Sequence, residues 1–190
     1  IQLLSSIGIK NANNAMGGLR LPYGSEVFQQ QLWTTDCVNG TVQVFDFNGD
    51  LVNTIGGYGT QSGKFHTPAD LKIHNGEMYV IEENNHRLQK ISLTSDKNTV
   101  FGAFGTPKSY TEKLDKFSFP LGVAVSHSTI VVVDYGNNRV LAYDHNFRPK
   151  WVLGNRFKNE LFNGPYYAEF IASKNLFAIT NRSANTIVLV

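Results

Sequence analysis

Along this chain apolar and polar positions alternate, or run wholly apolar, in bursts of four to six residues separated by Gly, Asn, Asp and Ser. TVQVFD, RLQKIS, RVLAYD, IVVVD and TIVLV are examples. A period of two places successive side chains on opposite faces of a strand, and a short unbroken apolar run fits a strand covered on both faces. No stretch sustains a helical period. The pattern predicts many short strands joined by turns.

The strands recur in a fixed order. LRLPYGSEV, KFHTPADLKI, KFSFPLGVAV and LFNGPYYAEF each place a large apolar residue three positions before a proline. The pairs are Leu19/Pro22, Phe65/Pro68, Phe117/Pro120 and Phe162/Pro165, with the prolines 46, 52 and 45 residues apart. A second phrase follows each proline by 14 to 16 residues: Asp36 with Asn39, Glu82 with Asn85 and Arg87, Asp134 with Asn137 and Arg139, and a weaker copy at Asn181 with Asn185. A third, an apolar run closing on glycine, appears as LVNTIGG, NTVFGAFG and KWVLG, and at the start of the chain as IQLLSSIG. Each unit reads as four strands: a after the proline (69–73, 121–125), b (77–81, 130–134), c (87–92, 139–144) and d (51–55, 98–104). A proline at a strand's first residue costs no ladder bond, and glycine after strand d permits a tight return. Four strands every 47 residues or so is the pattern of a propeller blade.

The D-x-x-N-x-R phrase after strand b, with F-x-x-P before strand a, resembles the NHL repeat. Residues 83–89 and 134–144 are its best copies. Units one and four depart from it, with Thr41 and Thr186 in place of the arginine and Ala184 in place of the asparagine. The expected fold is all-β: a propeller of four blades, each a four-stranded antiparallel sheet, in a single domain over 1–190. The blades fall near 20–55, 66–104, 118–153 and 165–190, the last closed by the N-terminal strand 1–7. NHL propellers commonly carry six blades, so two rivals stand beside internal closure: an open fourth blade that borrows a strand from a second molecule, and four blades of a longer ring. The missing initiator Met points to processing or to a piece of a longer chain.

Composition narrows function mainly by exclusion. A net charge of +2 does not by itself call for a polyanion. One cysteine, Cys37, excludes an internal disulfide framework and reads as a small, partly buried hydrophobe. No apolar run reaches the roughly 20 residues of a membrane-spanning helix.

The acid and arginine pairs Glu82/Arg87 and Asp134/Arg139 have the look of catalytic groups, but their repetition at one blade position marks them as anchors of the b–c turn. The five histidines fall at different phases of the repeat and are not expected to converge on the axis. The resemblance extends to an NHL-like amidating lyase in which zinc-binding histidines follow the strand-a proline; here Tyr23, Ala69, Leu121 and Tyr166 hold that position. Neither GxSxG nor GxxxxGK[ST] occurs. No cofactor, no metal and no enzymatic activity are expected; a metal-dependent lyase or lactonase stays as an alternative by fold analogy.

Charge placement says more than total charge. The d–a loops hold Lys10, Arg20, Lys64, Lys108, Lys113, Lys116, Arg156 and Lys158 against Glu112, Asp115 and Glu160, a balance of +5. Adding the b–c turns brings that face to +4. Tyr23 and Tyr166 accompany the cations, an arrangement that suits a protein partner, or single-stranded RNA or glycan as alternatives. The long loop at 105–117 is a candidate partner contact. Two sequons, at Asn39 and Asn181, lie in b–c turns open to glycans in a secreted chain. The expected function is non-catalytic recognition of a partner protein, with self-assembly through strand exchange as the structural alternative.

Overall fold

Four prolines set where the sheets begin. In the computed structural model, which describes residues 18–104, 113–154 and 161–190, three sheets contain four antiparallel strands in sequence order. The first comprises β1 (Pro22–Phe28), β2 (Gln31–Asp36), β3 (Thr41–Asp46) and β4 (Leu51–Gly56). The second has β5 (Pro68–His74), β6 (Glu77–Glu82), β7 (Arg87–Ser92) and β8 (Asn98–Phe101). A parallel pair, β9 (Ala103–Phe104) with β10 (Lys116–Phe117), leads to the third: β11 (Gly122–Val125), β12 (Ile130–Asp134), β13 (Arg139–Tyr143) and β14 (Pro149–Leu153). The fourth contains β15 (Pro165–Ile171), β16 (Leu176–Asn181) and β17 (Thr186–Leu189), three strands among the described residues. The inner strands β5 and β11 pack on each other, β1 packs on β5 and β15 on β11, so the sheets form a four-bladed β-propeller.

Blade-on-blade packing explains the apolar runs. Trp33, Val42 and Val44 of the first blade bury against Leu71, Met78, Val80 and Ile91 of the second. Tyr79, Ile81 and Leu88 of the second meet Val123, Ile130, Val132 and Leu141 of the third, and Val131, Val133 and Val140 of the third meet Ala168, Phe177 and Ile179 of the fourth. Strand β12 has neighbours on both faces, so Ile130–Val133 is apolar without alternation, and each such side chain contributes about 1.5–3 kcal/mol by leaving water.

The first and third phrases of the repeat lock together. Phe65, Phe117 and Phe162 are buried over Gly56, Gly102 and Gly154, which adopt positive φ of 98°, 97° and 77°. A Cβ on Gly102 would lie 2.5 Å from the Phe117 ring, and one on Gly154 2.7 Å from that of Phe162. The glycine ending one blade is thus the floor for the phenylalanine that opens the next. This corrects the expected continuous strand over 98–104: the chain turns at Gly102, ending β8, and only then runs beside β10. The expected closure by residues 1–7 falls outside the described residues.

Candidate functional site

Aligning the inner strands on their prolines gives two rings of side chains about the axis. The second residue after each proline is Gly24, Asp70, Gly122 and Tyr167; the fourth is Glu26, Lys72, Ala124 and Glu169. In the first ring the two glycines leave room for Asp70 and Tyr167 to meet from opposite blades, the Tyr167 hydroxyl donating to Asp70 Oδ1 at 3.0 Å. Val123 N–H donates to Oδ2 at 3.0 Å and Leu71 N–H to Oδ1 at 2.9 Å. Burial pushes the Asp70 carboxyl up to about 7 against these three donors and Lys72. In the second ring Lys72 Nζ lies 2.7 Å from Glu169 and 3.4 Å from Glu26. Burial alone would lower this amine, but the Glu169 bond and the Asp70 charge outweigh it and hold it above its ordinary range. Glu26 is raised by its own burial, with Lys72 opposing. Side chains therefore span the channel, and Tyr23 and Tyr166 join blades one and four through their hydroxyls at its mouth.

The repeated acids are fully buried and committed to the loops. Asp36 accepts from Arg20 N–H, Asn39 and Gln43. Glu82 accepts from His66 N–H, Asn85, Arg87 and Gln89, and Asp134 from Ser118 N–H, Asn137 and Arg139. The guanidinium groups continue outward to loop carbonyls, Arg87 to Gln61 and Lys64, Arg139 to Lys113 and Lys116. In blade four Asn181 does the acid's work, accepting from Asn163 N–H and donating to Leu161 O.

The Glu82/Arg87 and Asp134/Arg139 ion pairs leave the charge balance read from the loops and turns unchanged, since each sets one cation against one acid. Arg87 and Arg139 are buried against their acids and add little to the face, leaving Arg20, Lys64, Lys113, Lys116 and Arg182 in contact with solvent against Glu83 and Asp115 among the described residues. Lys108, Arg156 and Lys158 lie outside them. The sequons need correction: their turns are at the surface, but Asn181 is 2% exposed and Asn39 half-buried, with both Nδ2 groups spent on internal bonds. Cys37 is buried, its thiol pushed up to about 12 by burial, and donates to Pro68 O. The histidines do not reach the axis, but His74 and His145 stack at 5.6 Å beside Tyr79 between blades two and three, a meeting that repeat phase concealed. Among the described residues no three His, Cys, Asp or Glu side chains are grouped to hold a metal ion.

The residue before each strand-a proline is left-handed: Leu21 (φ 67°), Thr67 (54°), Phe119 (47°) and Gly164 (70°). Glycine tolerates this; leucine and phenylalanine are strained by it. Leu21 is 59% exposed and Phe119 38%, so two bulky apolar groups are held outward on the loop face. They share that face with the exposed Tyr58 and Tyr135, with Tyr23 and with Arg182, whose guanidinium covers the Tyr166 ring at 5.2 Å. The pre-proline position was visible in the sequence, its backbone sign was not.

No protein-family model and no curated protein matches the chain. Solved structures do. A streptogramin B lyase aligns with a TM-score of 0.65 at 16% identity, over 89% of this chain and 51% of its own. An auxiliary nutrient binding protein from Bacteroides thetaiotaomicron VPI-5482 gives 0.62 at 13%, over 84% and 45%. The computationally designed Ika4 protein gives 0.58 at 10%, over 99% and 98%. The chain spans about half the length of the lyase and of the nutrient-binding protein. At these identities the likeness establishes the class, a β-propeller, and not an activity.

Proposed function

We propose that this chain is an NHL-type propeller that recognises a partner protein, without catalysis, on the face made by the d–a loops and b–c turns. The observation that carries the reading is the strained, outward display of Leu21 and Phe119 among exposed cations. Backbone strain of this kind persists where function retains it, and exposed apolar groups ringed by polar ones suit a protein interface. The buried acids and the spanned channel favour recognition over turnover. Ring faces favour protein over RNA: Tyr166 is covered by Arg182 and meets Tyr135 edge-on, and Phe119 meets His86 edge-on, so few flat faces stand open for bases.

The test is a displayed random-peptide library panned on the wild type and counter-selected on Leu21→Gly/Phe119→Gly. Glycine accepts the left-handed backbone, so the variant is expected to keep the fold. Peptides that bind the wild type and not the variant support the reading; an empty selection, or peptides that ignore the substitutions, overturns it. Binding of a uridine-rich oligonucleotide that weakens with salt would move the assignment to RNA.

Self-assembly is the second reading, favoured by β17: its outer edge has no partner strand among the described residues, and Ile187 and Leu189 are 65% and 58% exposed. A scattering mass that stays near 21.2 kDa over a hundredfold concentration range rejects it, and a rising mass supports it.

A further inference from the structure

At two of the blade junctions the same three repeat positions meet, and comparing them exposes a difference. Between blades two and three those positions hold His74, Tyr79 and His145. Tyr79 O–H donates to His145 Nδ1 at 2.8 Å, His145 Nε2–H donates to Ser126 O at 3.0 Å, and His74 stacks on His145. Between blades one and two the same positions hold Phe28, Trp33 and Leu93. Trp33 occupies the Tyr79 position, three residues before the buried acid, and Leu93 the His145 position, eleven after it. Leucine offers no acceptor. Trp33, 8% exposed, therefore keeps a buried Nε1–H with no hydrogen-bond partner among the described residues.

A cleft of about 400 Å³ opens at this junction, lined by Trp33, Phe28, Ile55, Ile91 and Leu93 with Asn53, Ser92 and Thr94 at its polar margin. Its lining includes no charged side chain. The size is that of a small-molecule site, and an unmet buried N–H carries a desolvation cost that a ligand acceptor would recover.

We propose that this cleft binds a neutral, flat, largely apolar small molecule carrying one hydrogen-bond acceptor for Trp33 Nε1. Phe28, edge-on to Trp33 at 6.2 Å, and Leu93 are only half-buried, and a rotamer change in either admits the acceptor to the indole. A charged ligand is disfavoured because the lining has nothing to neutralise it. The site is separate from the loop face, so it stands whichever partner that face takes.

The probe is Prodan, a neutral flat naphthalene ketone, titrated into the intact chain bearing Trp151→Phe, which leaves Trp33 as the single indole of the two. The expected result is saturable one-to-one binding with energy transfer from Trp33 to the probe. Leu93→His, which rebuilds the junction seen between blades two and three, should abolish that binding while preserving the fold. Trp33→Phe should weaken it about threefold to tenfold, the equivalent of one neutral hydrogen bond. No saturable binding, as for a cleft that accepts a partner's side chain instead, overturns the proposal, and so does binding that Leu93→His leaves intact.

Discussion

Tyr167 and Asp70 reach from opposite blades and join by a 3.0 Å hydrogen bond where the channel of the propeller would otherwise run. The bond exists because Gly24 and Gly122 occupy the alternate positions of the same ring. A Cβ on Gly24 would stand 2.6 Å from Asp70 Cα and Oδ1, while one on Gly122 would stand 3.1 Å from Tyr167 Cα. Gly24→Ala is therefore expected to cost about 1–3 kcal/mol of folding free energy and Gly122→Ala less, as read by urea denaturation. Equal and negligible costs would show that the channel is not filled this way.

The raised Asp70 carboxyl makes stability depend on pH in a definite sense. Its folded pKa of about 7 exceeds the ordinary 3.8, so between those values the folded chain holds a proton that the unfolded chain has released. That contribution is whole below about pH 4 and is lost as pH rises through 7. Asp70→Asn should accordingly gain on the wild type steadily from pH 4 to pH 8, measured by denaturation at each pH. A constant difference would contradict the assignment. His74 and His86, both lowered by burial, act in the opposite sense in both proteins and cancel in the comparison.

Buried acids at one repeat position should differ in the cost of their loss. Asp134→Asn leaves the Arg139 guanidinium buried without its carboxylate, an expected cost of about 3–5 kcal/mol. Asp36 faces only neutral donors, so Asp36→Asn is expected to cost about 1–2 kcal/mol. Thermal and chemical unfolding of the two variants side by side gives the answer.

The glycine-phenylalanine lock predicts coupling across blades. Gly102→Ala adds a side chain at positive φ against the Phe117 ring and should cost about 2–4 kcal/mol. Combined with Phe117→Leu, the cost should fall short of the sum by about 1 kcal/mol or more. Strict additivity in a double-mutant cycle would dissolve the link.

Cys37 offers a reporter of unfolding. Burial keeps its thiol protonated, and the side chain is 5% exposed, so a thiol-reactive dye at pH 8 should label the folded chain very slowly. Labelling should accelerate in proportion to the unfolded fraction as urea is added; rapid labelling of the native protein would place Cys37 at the surface.

The sequence by itself determined the repeat, and through it the fold: alternation and apolar runs specify strands locally, and the recurrence of F-x-x-P and D-x-x-N-x-R specifies how many and in what order. It also marked Glu82 and Asp134, each with its arginine, as turn anchors, because repetition of one local arrangement signals a local structural task. What tertiary structure alone decided lies between blades. Asp70 with Tyr167, Lys72 with Glu26 and Glu169, and Trp33 with Leu93 are far apart in the chain, and nothing in their local context couples them. The inward turn of Asn39 and Asn181 and the left-handed backbone of Leu21 and Phe119 were hidden for the same reason. Each depends on the direction in which a backbone already fixed by neighbouring blades aims a side chain, and residue type alone carries no record of that direction.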